Sequence, residues 1–471
     1  MEGGRPLPPC FLEGCGLTRV PEKIVLVGFL VAFFLVAAKP GIRAADDLVG
    51  RVCDRNGILL IEVRSTPDGG VVLSYPLRAL GAQLLSGLDP AVLPRKGETL
   101  YLTIDVHAQL AAEHSLRKVP RGCAVVMNSG NGDILAMASV PSFDPNSPDL
   151  AALEADPTDP RRNRAVSAVP PGATFLPVTL LSGLAAGFRD FQHECTGSMA
   201  FGNQGMKCWI ADKGGGHGKE TLNEGMRNSC STFFYRFGMV AGVDKIGSVA
   251  ATLGFGKASG IPVRNEAAGL VPGIAWLKKV NPQATWTDGY TANLAIGQGD
   301  LLATPLQMTA MAATIGQGGT VIKPRLIERI VHQDGTISRP EPIAPPELEE
   351  VGIRKEDVAV VRNAMRNSVN ESGGNSRKAA TPGFLVGGRT GTSQIWRNGL
   401  RDSVAAFVGF AESEKNHFAF GVFVLGAKSG GGVAAPLASQ ILAGLEAPVG
   451  QNELTPRDPA KGSFDFVESG D

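Results

Sequence analysis

The chain has 471 residues, enough for one large domain with smaller pieces attached. Lysine plus arginine and aspartate plus glutamate balance at 45 each, so nothing in the charge suggests a nucleic acid or another acidic polymer as partner. The 60 glycines fit many turns and close backbone approaches rather than low-complexity sequence.

Residues 1–23 read as a short cytoplasmic tail. Ile24 to Ala38 is an unbroken apolar run, shorter than the ~20 residues that usually span a bilayer. It reads either as a cleaved signal peptide or as an uncleaved signal-anchor. The anchor is preferred, because Lys39-Pro40 follows directly and leaves no small-x-small cleavage site. Arg5, Arg19 and Lys23 are offset by Glu2, Glu13 and Glu22, so the flanking charge does not orient the segment. Either reading exports the rest of the chain. The expectation is a single-pass protein of the cell inner membrane with its main domain on the periplasmic side.

Residues 46–95 form a small module, and a large domain over 96–448 follows. Leu100 to Ile104 reads as a strand. Asp105 is placed to cap an amphipathic helix from Val106 to about Leu116. Ala124–Met127 and Ile134–Ala138 flank an Asn131-Gly132 turn and read as a hairpin. Ala173 to Ala186 is almost wholly apolar, which predicts a helix at the centre of the domain. Gly383–Trp396, Ser403–Ala411 and His417–Leu425 read as sheet strands, the first two joined at Asn398-Gly399. Val433–Leu445 reads as a closing helix, and Arg339–Pro346 as a proline-rich surface loop. Residues 449–471 are polar and read as a disordered tail. The chain shows no internal repeat.

Several short motifs are more specific than these patterns. They include Thr103-Ile104-Asp105, the run Ile134 to Ser139 ending in Pro141-Ser142-Phe143-Asp144-Pro145-Asn146, and Asn163-Arg164-Ala165. Ala295-Ile296-Gly297-Gln298-Gly299 followed by Thr304-Pro305-Leu306-Gln307 is another. With Pro170-Pro171-Gly172-Ala173-Thr174-Phe175-Leu176-Pro177, these resemble the class B penicillin-binding proteins, the peptidoglycan D,D-transpeptidases, of elongation type. The resemblance covers about residues 46 to 448. It implies an α/β (α+β) fold like that of the serine β-lactamases: an antiparallel sheet between helices, with a mostly helical lobe beside it. Gly50-Arg51-Val52-Cys53-Asp54-Arg55-Asn56-Gly57 resembles the start of the family's N-terminal pedestal. Tyr75-Pro76-Leu77, which comes late in the pedestal, follows within a short stretch, so the pedestal is heavily reduced.

The three catalytic motifs of the family are degenerate here. The family carries Pro-Gly-Ser-x-x-Lys-Pro at the start of the central helix, where the serine is acylated. The lysine, one turn on and on the same face, is its base. This chain has Ala173 and Leu176 at those positions, with no oxygen to attack and no basic atom. The Ser-x-Asn motif is Ser229-Cys230-Ser231: the relay serine survives as Ser229, and Ser231 replaces a longer amide. The Lys-Thr-Gly motif is Arg389-Thr390-Gly391, followed by Thr392. Arg389 keeps a cation able to pair with a carboxylate. Backbone N–H groups of residues 173 and 392 would still suit an oxyanion hole. The residues point to a non-acylating member of the family that holds substrate at Ser229, Arg389, Thr390, Gly391 and Thr392. The alternatives are an active transpeptidase with a displaced nucleophile at Thr174, Ser167 or Ser229, and a pure scaffold with a relic cleft.

Cys195, Cys208, His217 and Cys230 cluster between the first two motifs. Three thiolates and one imidazole make a closed, tetrahedral, structural zinc site. A Cys195–Cys208 disulfide is the alternative in an exported compartment. The resemblance adds weight to zinc, because some elongation-type members hold one with a histidine and a cysteine at the positions of His217 and Cys230. Cys53 and Cys123 read as buried apolar residues, and Cys10 and Cys15 as cytoplasmic thiols. No cofactor is expected for chemistry. The partners implied are a peptidoglycan stem peptide or β-lactam bound without acylation, a membrane-embedded cell-wall polymerase, and the membrane itself.

Overall fold

Two sheets organise the chain, seen in a computed structural model that describes residues 47–341, 346, 348–397 and 400–446. The expected tail, anchor and polar C-terminus lie outside the described residues, as do Cys10, Cys15 and the Asn398-Gly399 turn. Among the described residues no helix is long and apolar enough to cross a membrane.

The larger motif is a five-stranded antiparallel sheet. Its strands are β1 (Gly122–Asn128), β2 (Ile134–Val140), β3 (Leu385–Arg397), β4 (Leu400–Glu412) and β5 (His417–Leu425), in the order β3-β4-β5-β1-β2. Both faces of β1 are buried, and its residues divide by the period of two. Cys123, Val125 and Met127 enter one core, and Ala124 and Val126 enter the other. One face packs on helices α1 (Val106–Leu116) and α7 (Ala435–Glu446). The other packs on α5 (Pro305–Gly316) and α6 (Lys355–Asn370), and α2 (Leu176–Ala185) and α4 (Ser231–Ala241) extend the same core behind them. A short helix, α3 (Leu222–Asn228), leads into α4.

Local signals account for several boundaries. Asp105 caps α1 as expected: its Oδ1 accepts from the N–H groups of His107 at 2.9 Å and Ala108 at 3.3 Å. Thr304 and Gln307 close a reciprocal capping box on α5. The hairpin of β1 and β2 turns through Gly132, whose φ of +79° favours glycine. The central helix differs from its expected start at Ala173. Gly172–Phe175 is a 3₁₀ turn, and α2 begins at Leu176. Pro177 is the reason: it has no N–H to offer Ala173 O, and its ring would crowd that carbonyl in a continuous α-helix. The closing helix also begins later than expected, after a π turn over Gly430–Ala434.

The second sheet has six strands. In order they are Ile337–Ser338, Ile327–Val331, Glu98–Leu102, Leu48–Cys53, Leu59–Ser65 and Val71–Ser74. The segment 46–95 supplies three of them, and Leu48–Cys53 pairs in parallel with Glu98–Leu102. The strand expected at Leu100–Ile104 therefore lies slightly earlier. Beyond the strand, Thr103 N–H still bonds Leu326 O at 2.8 Å, and its hydroxyl lies 2.9 Å from the carbonyls of both Ile134 and Arg325.

Candidate functional site

A cleft of about 410 Å³ opens where β3 passes the start of α2. Next to the lining residues Ala173, Ile296 and Gln298, two glycines cross. Gly172 (φ +57°) donates its N–H to Gly297 O at 2.9 Å, and a Cβ on Gly297 would lie 2.0 Å from Gly172 O. This crossing sets the 3₁₀ turn that presents residue 173. Ala173 and Leu176 both line the cleft, as the motif predicts. Leu176 packs back into the core at 2% exposure and leaves the cleft open.

The two walls converge on this turn. On the β3 side stand Thr390, Gly391 and Thr392. A Cβ on Gly391 would come within 3.0 Å of Pro171 O and Thr174 N, so only glycine lets the strand lie against the turn. Thr390 N–H donates to Ser376 Oγ at 3.1 Å, and Thr392 Oγ1 accepts from Gly430 N–H at 3.1 Å. On the helical side stand Ser229, Ser231 and Trp209. Ser229 ends α3 in the left-handed region (φ 55°, ψ 44°), a conformation uncommon for a non-glycine residue. Among the described residues that line the cleft, none is charged.

Two of the proposed replacement nucleophiles do not reach this space. Thr174 is fully buried, and its hydroxyl donates to Pro171 O at 2.6 Å. Ser167 donates to Asn163 O at 2.8 Å and is not part of the lining. Ser229 does line the cleft, with no basic side chain beside it among the lining residues.

Arg389 corrects the expected set. Placed by sequence as a ligand for a substrate carboxylate, it is 0% exposed and turned away from the cleft. Its Nη1 donates to Met226 O and Asn375 Oδ1, each at 2.7 Å, and to Ser368 Oγ at 3.3 Å. Nε and Nη2 have no partner among the described residues. Burial pulls the guanidinium down to about 9, and no carboxylate among the described residues offsets its desolvation. The guanidinium is long enough to reach past the wall to the backbone before Ser229.

Cys195, Cys208, His217 and Cys230 meet beside Ser231, as the sequence proposes. Their donor atoms all lie within 4.8 Å of one another. His217 Nδ1 is 3.6 Å from Cys195 Sγ and 3.5 Å from Cys208 Sγ. A tetrahedral zinc with ordinary Zn–S and Zn–N bonds sets that edge at ~3.6 Å, so the donor set fits the ion. Cys195, Cys208 and Cys230 are free thiols here, with no Cys195–Cys208 disulfide. A hydrogen bond from the Cys230 thiol drives the Cys208 thiol down, with help from the Ser231 N–H, and Cys230 is correspondingly raised. Cys53 and Cys123 are buried elsewhere, as expected.

Sequence reasoning missed Trp209, Ile296, Gln298, Asn375 and Ser429 as lining residues. Ile296 and Gln298 sit in the Ala295–Gly299 motif, read only as a fold marker. Asn375 and Ser429 carried no signal, since loops far apart in sequence bring them here.

A sheet edge running past the start of a buried helix, with a serine turn opposite, defines a penicillin-recognising transpeptidase fold. The match to known proteins agrees. The family model described as penicillin binding protein transpeptidase domain matches residues 122–443, and the chain belongs to that family. It is 31% identical over 364 residues to the peptidoglycan D,D-transpeptidase MrdA of Acinetobacter baumannii, covering 72% of this chain and 53% of the relative. It is 31% identical over 412 residues to the stage V sporulation protein D of Bacillus subtilis, covering 83% of this chain and 60% of the relative. The chain thus spans between half and two thirds of the length of these curated relatives. Among solved structures, Pseudomonas aeruginosa PBP2 superimposes with a TM-score of 0.72 at 28% identity, over 84% of this chain and 95% of that one.

Proposed function

We propose that this chain serves peptidoglycan assembly as a non-acylating penicillin-binding-like protein, holding a stem peptide or a protein partner in the cleft. The observation that carries the reading is the pair Ala173 and Leu176. They occupy the cleft positions of nucleophile and base, and they bring no reactive atom there. Thr390 N–H is taken by Ser376 Oγ, but Thr392 is exposed on the edge strand β3 at the cleft and would offer its backbone to an extended peptide. A β-lactam would bind the same cleft without a covalent bond. The membrane-embedded polymerase and the inner-membrane anchor belong to the same proposal, supported by the apolar run at Ile24–Ala38. The reduced pedestal at 46–95 weighs against the polymerase contact.

We also propose that Cys195, Cys208, His217 and Cys230 hold a structural zinc. All four ligand positions would come from the protein, so the ion would brace the wall that carries Ser231 and take no part in chemistry. Support comes from the convergence of the four donors and from the spacing of His217 Nδ1 to the sulfurs of Cys195 and Cys208.

Intact-protein mass spectrometry of the full chain after incubation with a penicillin tests the first reading. The expected result is an unchanged mass. A stoichiometric adduct would sink it, and mapping the modified residue would name the nucleophile, with Ser229 the first position to inspect. Metal analysis of untagged protein tests the second: one zinc per chain is expected, and no zinc with a mass two units below the reduced form would establish the disulfide instead.

A further inference from the structure

Two buried polar atoms near the four-donor cluster lack a hydrogen-bond partner. One is His217 Nε2, and the other is Glu220 Oε2. They belong to residues three apart: His217 precedes the short strand Gly218–Glu220, and Glu220 is its last residue. Glu220 is fully buried, although glutamate rarely is unless paired. Its other oxygen, Oε1, accepts from Asn228 Nδ2 at 2.8 Å. Asn228 is the residue before Ser229, and its carbonyl accepts from Trp209 Nε1 at 3.0 Å. Glu220 therefore touches the turn that shapes the cleft and leaves one oxygen unused.

The tautomer of His217 explains the unused oxygen. Nδ1 faces the sulfurs of Cys195 and Cys208. A metal held there takes the Nδ1 lone pair, so the ring proton must sit on Nε2. That buried N–H needs an acceptor, and metal-bound histidines habitually give it to a carboxylate. We propose that Glu220 is this outer acceptor, taking the His217 Nε2–H through Oε2 by way of one bridging water. This rests on the zinc reading above. It makes Glu220 a positioning residue with two contacts: one oxygen sets the ring that binds the ion, and the other sets the Asn228-Ser229 turn. Metal occupancy is thereby connected to the cleft through one carboxylate.

The test is a zinc titration of the full chain against a chromophoric chelator, run on the native protein, Glu220→Gln and Asn228→Ala. Glutamine keeps the shape of Glu220 and can keep the contact to Asn228, so this variant should fold, and it loses only the carboxylate charge. The expected result is zinc affinity weakened about 10- to 100-fold in E220Q, with a change of threefold or less in N228A. Zinc affinity in E220Q within twofold of the native value would overturn the proposal. So would an equal loss in N228A, which would make Glu220 a brace for the turn alone. A native chain that takes no zinc would instead remove the metal reading on which the proposal stands, an outcome the native titration shows by itself.

Discussion

At the start of α2 the backbone crossing of Gly172 against Gly297 is intact, yet Ala173 and Leu176, the side chains it presents, carry no atom that moves a proton. Beside Ser231, the other wall gathers three thiols and an imidazole within 4.8 Å and adds a buried carboxylate behind them. Backbone packing and side-chain chemistry are thus separable. The glycine crossing, the close approach at Gly391 and the left-handed Ser229 turn answer to packing. The cysteine cluster answers to donor geometry, which one misplaced side chain would undo.

The largest expected effect would restore what the first wall lacks. Ala173→Ser with Leu176→Lys returns a nucleophile and a base, whose loss costs about 10⁶ in rate in a serine protease. The double variant is expected to form a penicillin adduct that the native chain does not, read by intact mass. No adduct on either protein would show that Ser231 and the buried Arg389 also matter.

Gly297→Ala tests the crossing itself. Its φ is +73°, and the new methyl would lie 2.0 Å from Gly172 O. Strain and crowding together should cost about 3 kcal/mol or more, measured by urea unfolding. A neutral result would mean that the crossing is not required to hold the turn.

Arg389→Ala removes the bonds to Met226 O and Asn375 Oδ1. The expected loss is about 2 kcal/mol, because removing an uncompensated buried cation offsets part of the cavity and hydrogen-bond cost. Amide exchange should quicken over 226–231 and 368–376 and stay unchanged in β1 and β5. Unchanged exchange near Met226 would show that the arginine does not join the two walls.

Glu113, away from both walls, supplies the smallest effect and a control. Its Oε1 accepts from Gly81 N–H at 2.7 Å and Gln109 Nε2 at 2.9 Å, and burial raises its carboxyl to about 7 from the usual 4.5. The native state therefore holds the proton more tightly than the unfolded chain does. Its contribution to stability is full below about pH 4.5 and is lost as pH rises through about 7. Glu113→Gln should flatten that decline in urea unfolding across pH 4 to 8, with ligand binding at the cleft unaltered. A native profile that tracks the variant at every pH would show that Glu113 titrates normally.

Local patterns determined much of the fold. The α1 cap at Asp105 and the β1–β2 hairpin are readable because each depends on neighbours a few residues away. The family motifs placed Ala173, Leu176, Ser229 and Thr390 at the cleft because a turn or strand carries its residues together. Arg389 was misplaced because a motif gives a side chain's position and charge, and its direction depends on what surrounds it. Here Met226 O, Ser368 and Asn375 offered oxygens inside the protein, and a long guanidinium reached them. The extra cleft residues Trp209, Asn375 and Ser429 come from segments far apart in the chain, and the orphan pair of His217 and Glu220, though only three residues apart, is visible only once burial is known.

By itself the sequence determined most elements, the family and the presence of Ala173 and Leu176 at the motif positions, because those reside in residue identity and short-range spacing. Only the tertiary structure decided that the cleft stays open, that Arg389 faces inward, that three strands of segment 46–95 join the large domain's sheet, and that four distant donors meet. Those outcomes depend on contacts between residues far apart in the chain, where packing and the demand to satisfy buried polar groups set the result.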